Sequence, residues 1–416
     1  MGENMKRRVV VTGLGTVNPV GNSVDESFEA IIRGQNGLGP ITYFDTSNWN
    51  VKIAGELKNL NFEDYLDKKE IKRSDKVMIL GTIAAIQAYQ DSGLKSEDYD
   101  PYRFGIFVTS GIGGLDTMEK DISVKAIRGA DRISPFFIPN SIINMVGGMI
   151  SIKFQVKGPN IPIVTACSAA TNGIGEAFRN IRDGYLDFAF AGGAEASINE
   201  TGVGGFAALK ALSTEADPNK ASRPFDKERS GFVMGEGSGV LVLETLESAL
   251  KRGAKIHAEI VGYGSTSDAF HMTAPDNEAD GLTKAIEFTL KDANVKPEVV
   301  DYINAHGTST LLNDKIETLG IKRAFKDHAY KLNISSTKGA TGHMLGATGA
   351  VESIFCIKAL NTGKIPPTIN YENKDPECDL NYTVNKSVHR NINYAMNINV
   401  GFGGQNAVVL YKKYGV

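Results

Sequence analysis

The feature that most constrains this chain is a strand–turn–helix unit that occurs twice. Ile161–Ile181 starts with the apolar run IPIVT and turns through small residues. It continues with Ile174, Ala177, Phe178 and Ile181, spaced i, i+3, i+4 and i+7 as on one face of a helix. Ile334–Ile354 repeats the pattern with Ala347, Ala350, Val351 and Ile354, a constant shift of 173 positions. Two weaker echoes keep the same order: Thr12-Gly-Leu-Gly with Val261-Gly-Tyr-Gly, and Ala191-Gly-Gly with Phe402-Gly-Gly. The expectation is two homologous halves, 1–257 and 258–416. No low-complexity linker separates them, so they should share one continuous core.

Further apolar runs at Arg8–Thr12, Phe104–Thr109, Phe188–Ala191 and Val240–Glu244 suit strands buried on both faces. Helix-length segments such as Ser74–Asp91 lie between them, which is an α/β pattern. Gly13-Leu-Gly-Thr-Val-Asn matches half of a dinucleotide fingerprint, but Asn18 replaces the third glycine. It is expected to be a tight turn without a nucleotide role. Lys364–Asp379 is expected to be a surface loop.

Lys plus Arg number 45 against 48 Asp plus Glu, which gives no global reason to expect nucleic acid binding. Three cysteines build no disulfide framework, as in a reducing compartment. No run of about 20 apolar residues predicts a membrane span. The start, Met1-Gly-Glu-Asn-Met-Lys-Arg-Arg, lacks the apolar region of a secretory signal. A bacterial cytoplasm is expected, or an organelle stroma if a transit peptide has been removed.

Cys167, in Thr165-Ala-Cys-Ser-Ala-Ala, follows a predicted strand and opens a predicted helix. A helix N-terminus favours a thiolate, so the placement should lower the thiol pKa. The plainer alternative is a small buried cysteine filling a junction. Cys356, on an apolar stripe, and Cys378, in a polar loop, are expected to be structural. Two of the six histidines, His306 in Asn304-Ala-His-Gly-Thr-Ser-Thr and His343 in Ala340-Thr-Gly-His-Met-Leu-Gly, sit in turns after predicted strands, where α/β proteins gather their sites. His257, His271, His328 and His389 lack that context. No HxxxH or CxxC spacing suggests a metal. Asp314 and Glu317 share a helix face, and a Glu317–Lys338 pair could hold the two histidine loops in register; a solvated surface pair is the equal alternative.

These segments resemble the signature regions of the β-ketoacyl-acyl-carrier-protein synthases. Ser336-Thr-Lys-Gly-Ala-Thr-Gly-His, Arg223-Pro-Phe-Asp-Lys-Glu-Arg-Ser-Gly-Phe, Gly235-Glu-Gly and Gly401-Phe-Gly-Gly add to the match, which runs from Val9 to Val409. The resemblance implies an α/β thiolase fold, two homologous halves in a five-layered αβαβα arrangement, usually a homodimer. It implies an acyltransferase that elongates acyl-acyl-carrier protein by decarboxylative condensation with malonyl-acyl-carrier protein. Cys167 would carry the acyl group, with N–H groups near Cys167 and Phe402 as oxyanion hole. His306 and His343 would stabilise the enolate, Lys338 would support them with Glu317 nearby, and Phe402 would gate the thiol. Thr308 and Thr310 would contact the phosphopantetheine arm, which the substrate carries, so no cofactor of the chain's own is implied. Ile112, in Ser110-Gly-Ile-Gly-Gly, Phe206 and Phe232 would line the acyl pocket, and Ile112 points to the type II enzymes. Lys69, Lys72, Arg73, Arg132 and Lys210 would dock the acidic carrier protein, with Asp131 a departure from the usual basic residue. Gly339-Ala340 departs from the commoner Ser-Met.

Related alternatives are weaker on the same residues. A thiolase needs a second cysteine where Gly401-Phe-Gly-Gly stands, and an initiating synthase pairs one histidine with asparagine. A polyketide ketosynthase would use the same residues, and a type I synthase tends to carry a smaller residue where Ile112 stands. A scaffold that only binds carrier protein would not need all three of Cys167, His306 and His343.

Overall fold

The computed structural model describes residues 6–416; Met1–Met5, part of the stretch judged not to be a secretory signal, lie outside them. Nine principal strands follow chain order: β1 Val9–Val17, β2 Phe104–Thr109, β3 Phe188–Glu195, β4 Gly237–Thr245, β5 Ala258–Ser267, β6 Tyr302–Asn304, β7 Asn333–Ser335, β8 Tyr394–Gly401 and β9 Gln405–Lys412. The helices that shape the site are α1 Lys76–Ser92, α2 Leu115–Arg128, α3 Asn144–Phe154, α4 Ala169–Arg182, α5 Glu200–Ala208, α6 Asp280–Asp292, α7 Leu311–Phe325 and α8 Thr348–Thr362.

The strands run in the order β2-β3-β4-β1-β5-β9-β8-β6-β7. The order reads as one arrangement used twice. In the first half β2 and β3 are parallel and β4 and β1 follow antiparallel. In the second, β6 and β8 are parallel and β9 and β5 follow antiparallel. The halves join where Val9–Val11 of β1 pair antiparallel with Ala258–Ile260 of β5.

Layering follows from which faces are apolar. β1, β3 and β4 are buried along their whole length, so both sheet faces must be covered. Helix α1 covers one face of the first half and α6 one face of the second. Helices α4 and α8 pack on each other and on strands of both halves, forming the middle layer. The result is helix, sheet, helix, sheet, helix. Local chemistry sets the helix ends: Asp75 caps α1 by accepting from Val77 N–H, and α1 and α8 stop at Gly93 and Gly363, both left-handed.

Four sequence expectations need correction. Ile161–Thr165 is not a strand; only Asn160 bridges β2, and Ile161 and Val164 stay exposed. The run lacks a neighbouring strand within this chain, so its apolar character alone cannot make it one. The repeat is real but its shift is 179, from Ala169 at the start of α4 to Thr348 at the start of α8. Each helix follows a short 3₁₀ turn whose first residue, Ala166 or Leu345, has positive φ. A helical apolar stripe repeats along itself, so stripe matching found the right helices in the wrong register.

Gly13 and Gly15 are not a turn but lie inside β1, where a Cβ would strike Ala88 and Ala84 of α1. Their echoes Gly262 and Gly264 play the same part in β5, where a Cβ would strike Thr289 and Ala285 of α6. Finally, the Lys364–Asp379 segment is half core: Ile365, Thr368 and Ile369 are buried, and Cys378 with them.

Candidate active site

The Cys167 turn is held by the far half of the chain. Ser168 Oγ donates to the carbonyls of Asn399 (3.1 Å) and Gln405 (2.9 Å), on β8 and β9. Gly401 packs so closely on the turn that a Cβ there would meet Thr165 O at 2.7 Å and Cys167 N at 3.2 Å. The backbone N–H groups of Cys167 and Phe402 stand near enough to the sulfur to favour its thiolate.

The histidines come from two other loops of the second half. His306 follows β6, and its loop is fixed by Glu317 of α7, whose carboxylate accepts from His306 N–H (2.6 Å) and Gly307 N–H (2.7 Å). His343 lies beyond the short helix Lys338–Thr341 and is pinned by its N–H to Val233 O (2.7 Å). The two rings sit edge to face with centroids 5.2 Å apart. His343 Nδ1 bonds Thr348 Oγ (3.0 Å), and Asn399 Nδ2 approaches His306 Nδ1 at 3.4 Å.

Cys167, His306, His343, Thr308, Thr310, Phe206, Phe232, Phe402 and Lys210 line one cavity of about 360 Å³. Phe232 stands edge-on to both His343 (5.3 Å) and Phe206 (5.4 Å), and Phe206 faces Phe402 at 6.3 Å. Thr308 and Thr310 hydroxyls bond each other at 2.9 Å.

Other expected residues fall elsewhere. Ile112 is not on the cavity wall; it packs into the apolar cluster that contains Cys167, Phe206, Phe232 and Leu345. Lys338 does not pair with Glu317. Its ammonium bonds Glu352 of α8 at 2.5 Å, both side chains fully buried, because Glu317 is already committed to the His306 loop. Lys69, Lys72 and Arg73 are exposed on the helix Lys68–Arg73, and Arg132 is exposed beside Asp131, which it pairs at 3.5 Å.

Burial dominates the electrostatics. It pushes both histidines well below their ordinary pKa, and the Lys338 charge pushes the same way, so both rings are neutral. It also pushes the Cys167 thiol up to about 12, against the opposing pull of Lys338 and the Phe402 N–H. The expected lowering of the thiol pKa is therefore overturned: desolvation outweighs the position before the helix. Burial likewise raises Glu317 to about 8.

Sequence reasoning missed Glu352, Asn399 and Thr348. Asn399 Nδ2 donates to Glu352 at 2.8 Å, so the buried Lys338 pair is tied to β8. A signal existed: Glu352 is an acid inside the apolar stripe of α8, between Val351 and Ile354. Among the described residues no cluster of three or more His, Cys, Asp or Glu is arranged to hold a metal.

With this fold and these loops, comparison with known proteins is decisive about class. Residues 6–249 match the β-ketoacyl synthase N-terminal domain and 257–372 its C-terminal domain. The chain belongs to the β-ketoacyl synthase family. A Synechocystis protein named 3-oxoacyl-[acyl-carrier-protein] synthase 2 is 47% identical over 98% of this chain and 99% of its own. A Staphylococcus aureus protein of the same name is 46% identical over 99% of each. Among solved structures, a type II polyketide ketosynthase in complex with its acyl-carrier protein superposes with TM-score 0.91 at 33% identity, over 98% of this chain and 99% of that one. A β-ketoacyl synthase from Burkholderia phymatum does so with TM-score 0.91 at 31% identity, again over 98% and 99%. The α/β thiolase fold in two related halves is thereby established.

Proposed function

We infer that the chain is a 3-oxoacyl-acyl-carrier-protein synthase of type II, an acyltransferase of fatty acid synthesis. One observation carries the mechanism: a thiol and two neutral imidazoles, brought from three loops, face the same cavity. In the first stage Cys167 adds to the thioester of acyl-acyl-carrier protein. The carrier thiol leaves with the cysteine's proton, and the acyl group remains on sulfur. The N–H groups of Cys167 and Phe402 hold the oxyanion of the tetrahedral intermediate. No step of this stage needs a free thiolate at rest, which suits a thiol held neutral by burial.

In the second stage malonyl-acyl-carrier protein enters and loses carbon dioxide. His306 and His343 hydrogen-bond the thioester oxygen as its enolate forms, which a neutral ring does by donating from one nitrogen. The carbanion attacks the acyl-Cys167 carbonyl, a carbon–carbon bond forms, and sulfur leaves, taking a proton from water. Lys338, locked to Glu352, is a positioning residue whose charge adds to burial in keeping both rings neutral; Glu317 shapes the His306 loop. Thr308 and Thr310 offer the hydroxyls for the phosphopantetheine arm, and Phe402 closes the thiol until an acyl chain displaces it.

The finer assignments belong to the same reading. Phe206 and Phe232 wall the acyl pocket, with Ile112 supporting them. Lys69, Lys72, Arg73, Arg132 and Lys210 receive the carrier protein, Lys210 at the cavity mouth and the others on the surface. A homodimer would cover the exposed Ile122, Ile127, Ile138, Ile152 and Val164. The halves divide at 257/258. No described helix is long and apolar enough to cross a membrane, and the relatives named above are bacterial, which supports a cytoplasmic setting. The test is intact-protein mass spectrometry with acyl-acyl-carrier protein, then malonyl-acyl-carrier protein. An adduct on Cys167 that discharges as a product two carbons longer is expected; folded protein that forms no adduct would overturn the reading and favour a carrier-binding scaffold.

A further inference from the structure

Helix α5 is built to be weak. Gly202, Gly204 and Gly205 fall within nine residues, and each glycine disfavours a helix relative to alanine. One has a packing reason: a Cβ on Gly202 would strike Ser197 O, whereas a Cβ on Gly204 would meet the Trp49 ring at an ordinary contact distance of 3.5 Å. Gly205 has nothing within 4 Å of where its Cβ would be, so no close contact demands a glycine there. Yet this helix carries Phe206, the cavity residue that touches both Phe232 and Phe402.

Helix α5 is pinned to α2 at its N-terminus. Asn199 Oδ1 caps it by accepting from Gly202 N–H (2.8 Å), while Asn199 Nδ2 donates to Asp116 Oδ1 of α2 (2.6 Å). One turn further along α2, Glu119 accepts from Thr201 N–H (2.6 Å). Helix α2 follows the loop that carries Ile112, and Ile112 and Phe206 share one apolar cluster. Two acids on α2 thus hold a glycine-softened helix by its first turn, while its last turn presents the pocket's aromatic wall and is tied to Phe232 through Ala211, which donates to Phe206 O (3.2 Å) and accepts from Phe232 N–H (3.0 Å).

We propose that α5 is an adjustable wall of the acyl pocket, held in its present setting by Asp116 through Asn199, so that this clamp helps to set which acyl lengths the pocket accepts. The proposal rests on the acyl-pocket reading above. Trp49 is the only tryptophan in the chain and packs on α5, so its fluorescence reports the helix independently of activity.

The experiment compares Asp116→Ala, Asn199→Ala and Gly205→Ala with the wild type. It measures kcat/KM for octanoyl- and hexadecanoyl-acyl-carrier protein, together with Trp49 emission. Loosening the clamp should change the ratio of the two kcat/KM values by about fivefold or more and shift Trp49 emission. Gly205→Ala, which stiffens the helix where there is room, should move the ratio the opposite way. If a variant changes both donors by one common factor, or leaves Trp49 emission and the ratio unchanged, the adjustable wall is wrong. Should Asp116→Ala fail to fold, Gly205→Ala decides alone by the same ratio. Wild-type protein that elongates neither donor sinks the condensing-enzyme reading instead, while Trp49 emission still tells whether the clamp positions α5.

Discussion

At the scale of single residues, the site works by desolvation corrected with one buried charge. Lys338 and Glu352 are fully buried and bonded to each other, so removing one partner leaves the other unpaired. Glu352→Gln should destabilise the protein by about 3–5 kcal/mol in a denaturant titration. It should also slow malonyl decarboxylation, because Lys338 would lose its fixed place beside the rings. The histidines make a second prediction, and its sign follows from their depressed pKa. Below about pH 6.5 the unfolded chain takes up protons on His306 and His343 while the folded chain does not. Stability contributed by these groups is thus present above pH 6.5 and lost as pH falls. Each histidine adds up to about 1.4 kcal/mol per pH unit to that slope, so His343→Asn should flatten the loss between pH 6.5 and 5. In a Cys167→Gln variant, decarboxylation should persist with the rings still neutral at pH 6, and its complete absence at any pH would remove the histidines from the reaction. Which residues would matter was largely legible here, since cysteine and histidine in small-residue turns are hard to place otherwise. How they would ionise was not: the thiol's placement before a helix is written in the sequence, but the burial that outweighs it is made by Phe206, Phe232, Leu345 and Phe402, which arrive from four distant segments.

Elements tell a different story about legibility. The fully buried strands announce themselves as apolar runs, and α1 by its length. Short β6 and β7, three residues each, carry the His306 and Lys338 loops yet offer too few residues for any periodicity. Glu317 and Lys338 are legible as site residues but their partners are not, because helix-face spacing says which residues share a face and not what stands opposite. Close backbone approach is where elements are most exposed to mutation. A Cβ on Gly15 would lie 2.0 Å from Ala84 O, with backbone on both sides of the contact. Gly15→Ala should force α1 off β1 and cost about 1–3 kcal/mol, as overpacking does. Gly401→Ala meets the Cys167 turn instead. It too should cost about 1–3 kcal/mol, as overpacking against backbone does, and should lower the rate of Cys167 acylation at least about tenfold, as the N–H donors and the sulfur are pushed apart. A stable Gly401→Ala protein acylating at the wild-type rate would show that this contact does not set the geometry.

The whole molecule is two like halves whose chemistry is divided unequally: the nucleophile belongs to the first and both histidines to the second. Exposed isoleucines gather between residues 122 and 161, beyond what a lone chain needs on its surface. Analytical ultracentrifugation across dilution should show a dimer, and Ile127→Asp should shift it toward monomer; an unaltered monomer at all concentrations would mean those side chains serve something else. The hydrogen bonds of Ser168 have a consequence for the life of the chain before it is complete. They join the nucleophile turn to carbonyls 231 and 237 positions later. Contacts so distant in sequence form late. During synthesis the thiol therefore emerges from the ribosome long before the strands that aim it exist, and a nascent chain carries a cysteine without a reaction. Condensing power is switched on only when β8 and β9 arrive, as a keystone closes an arch.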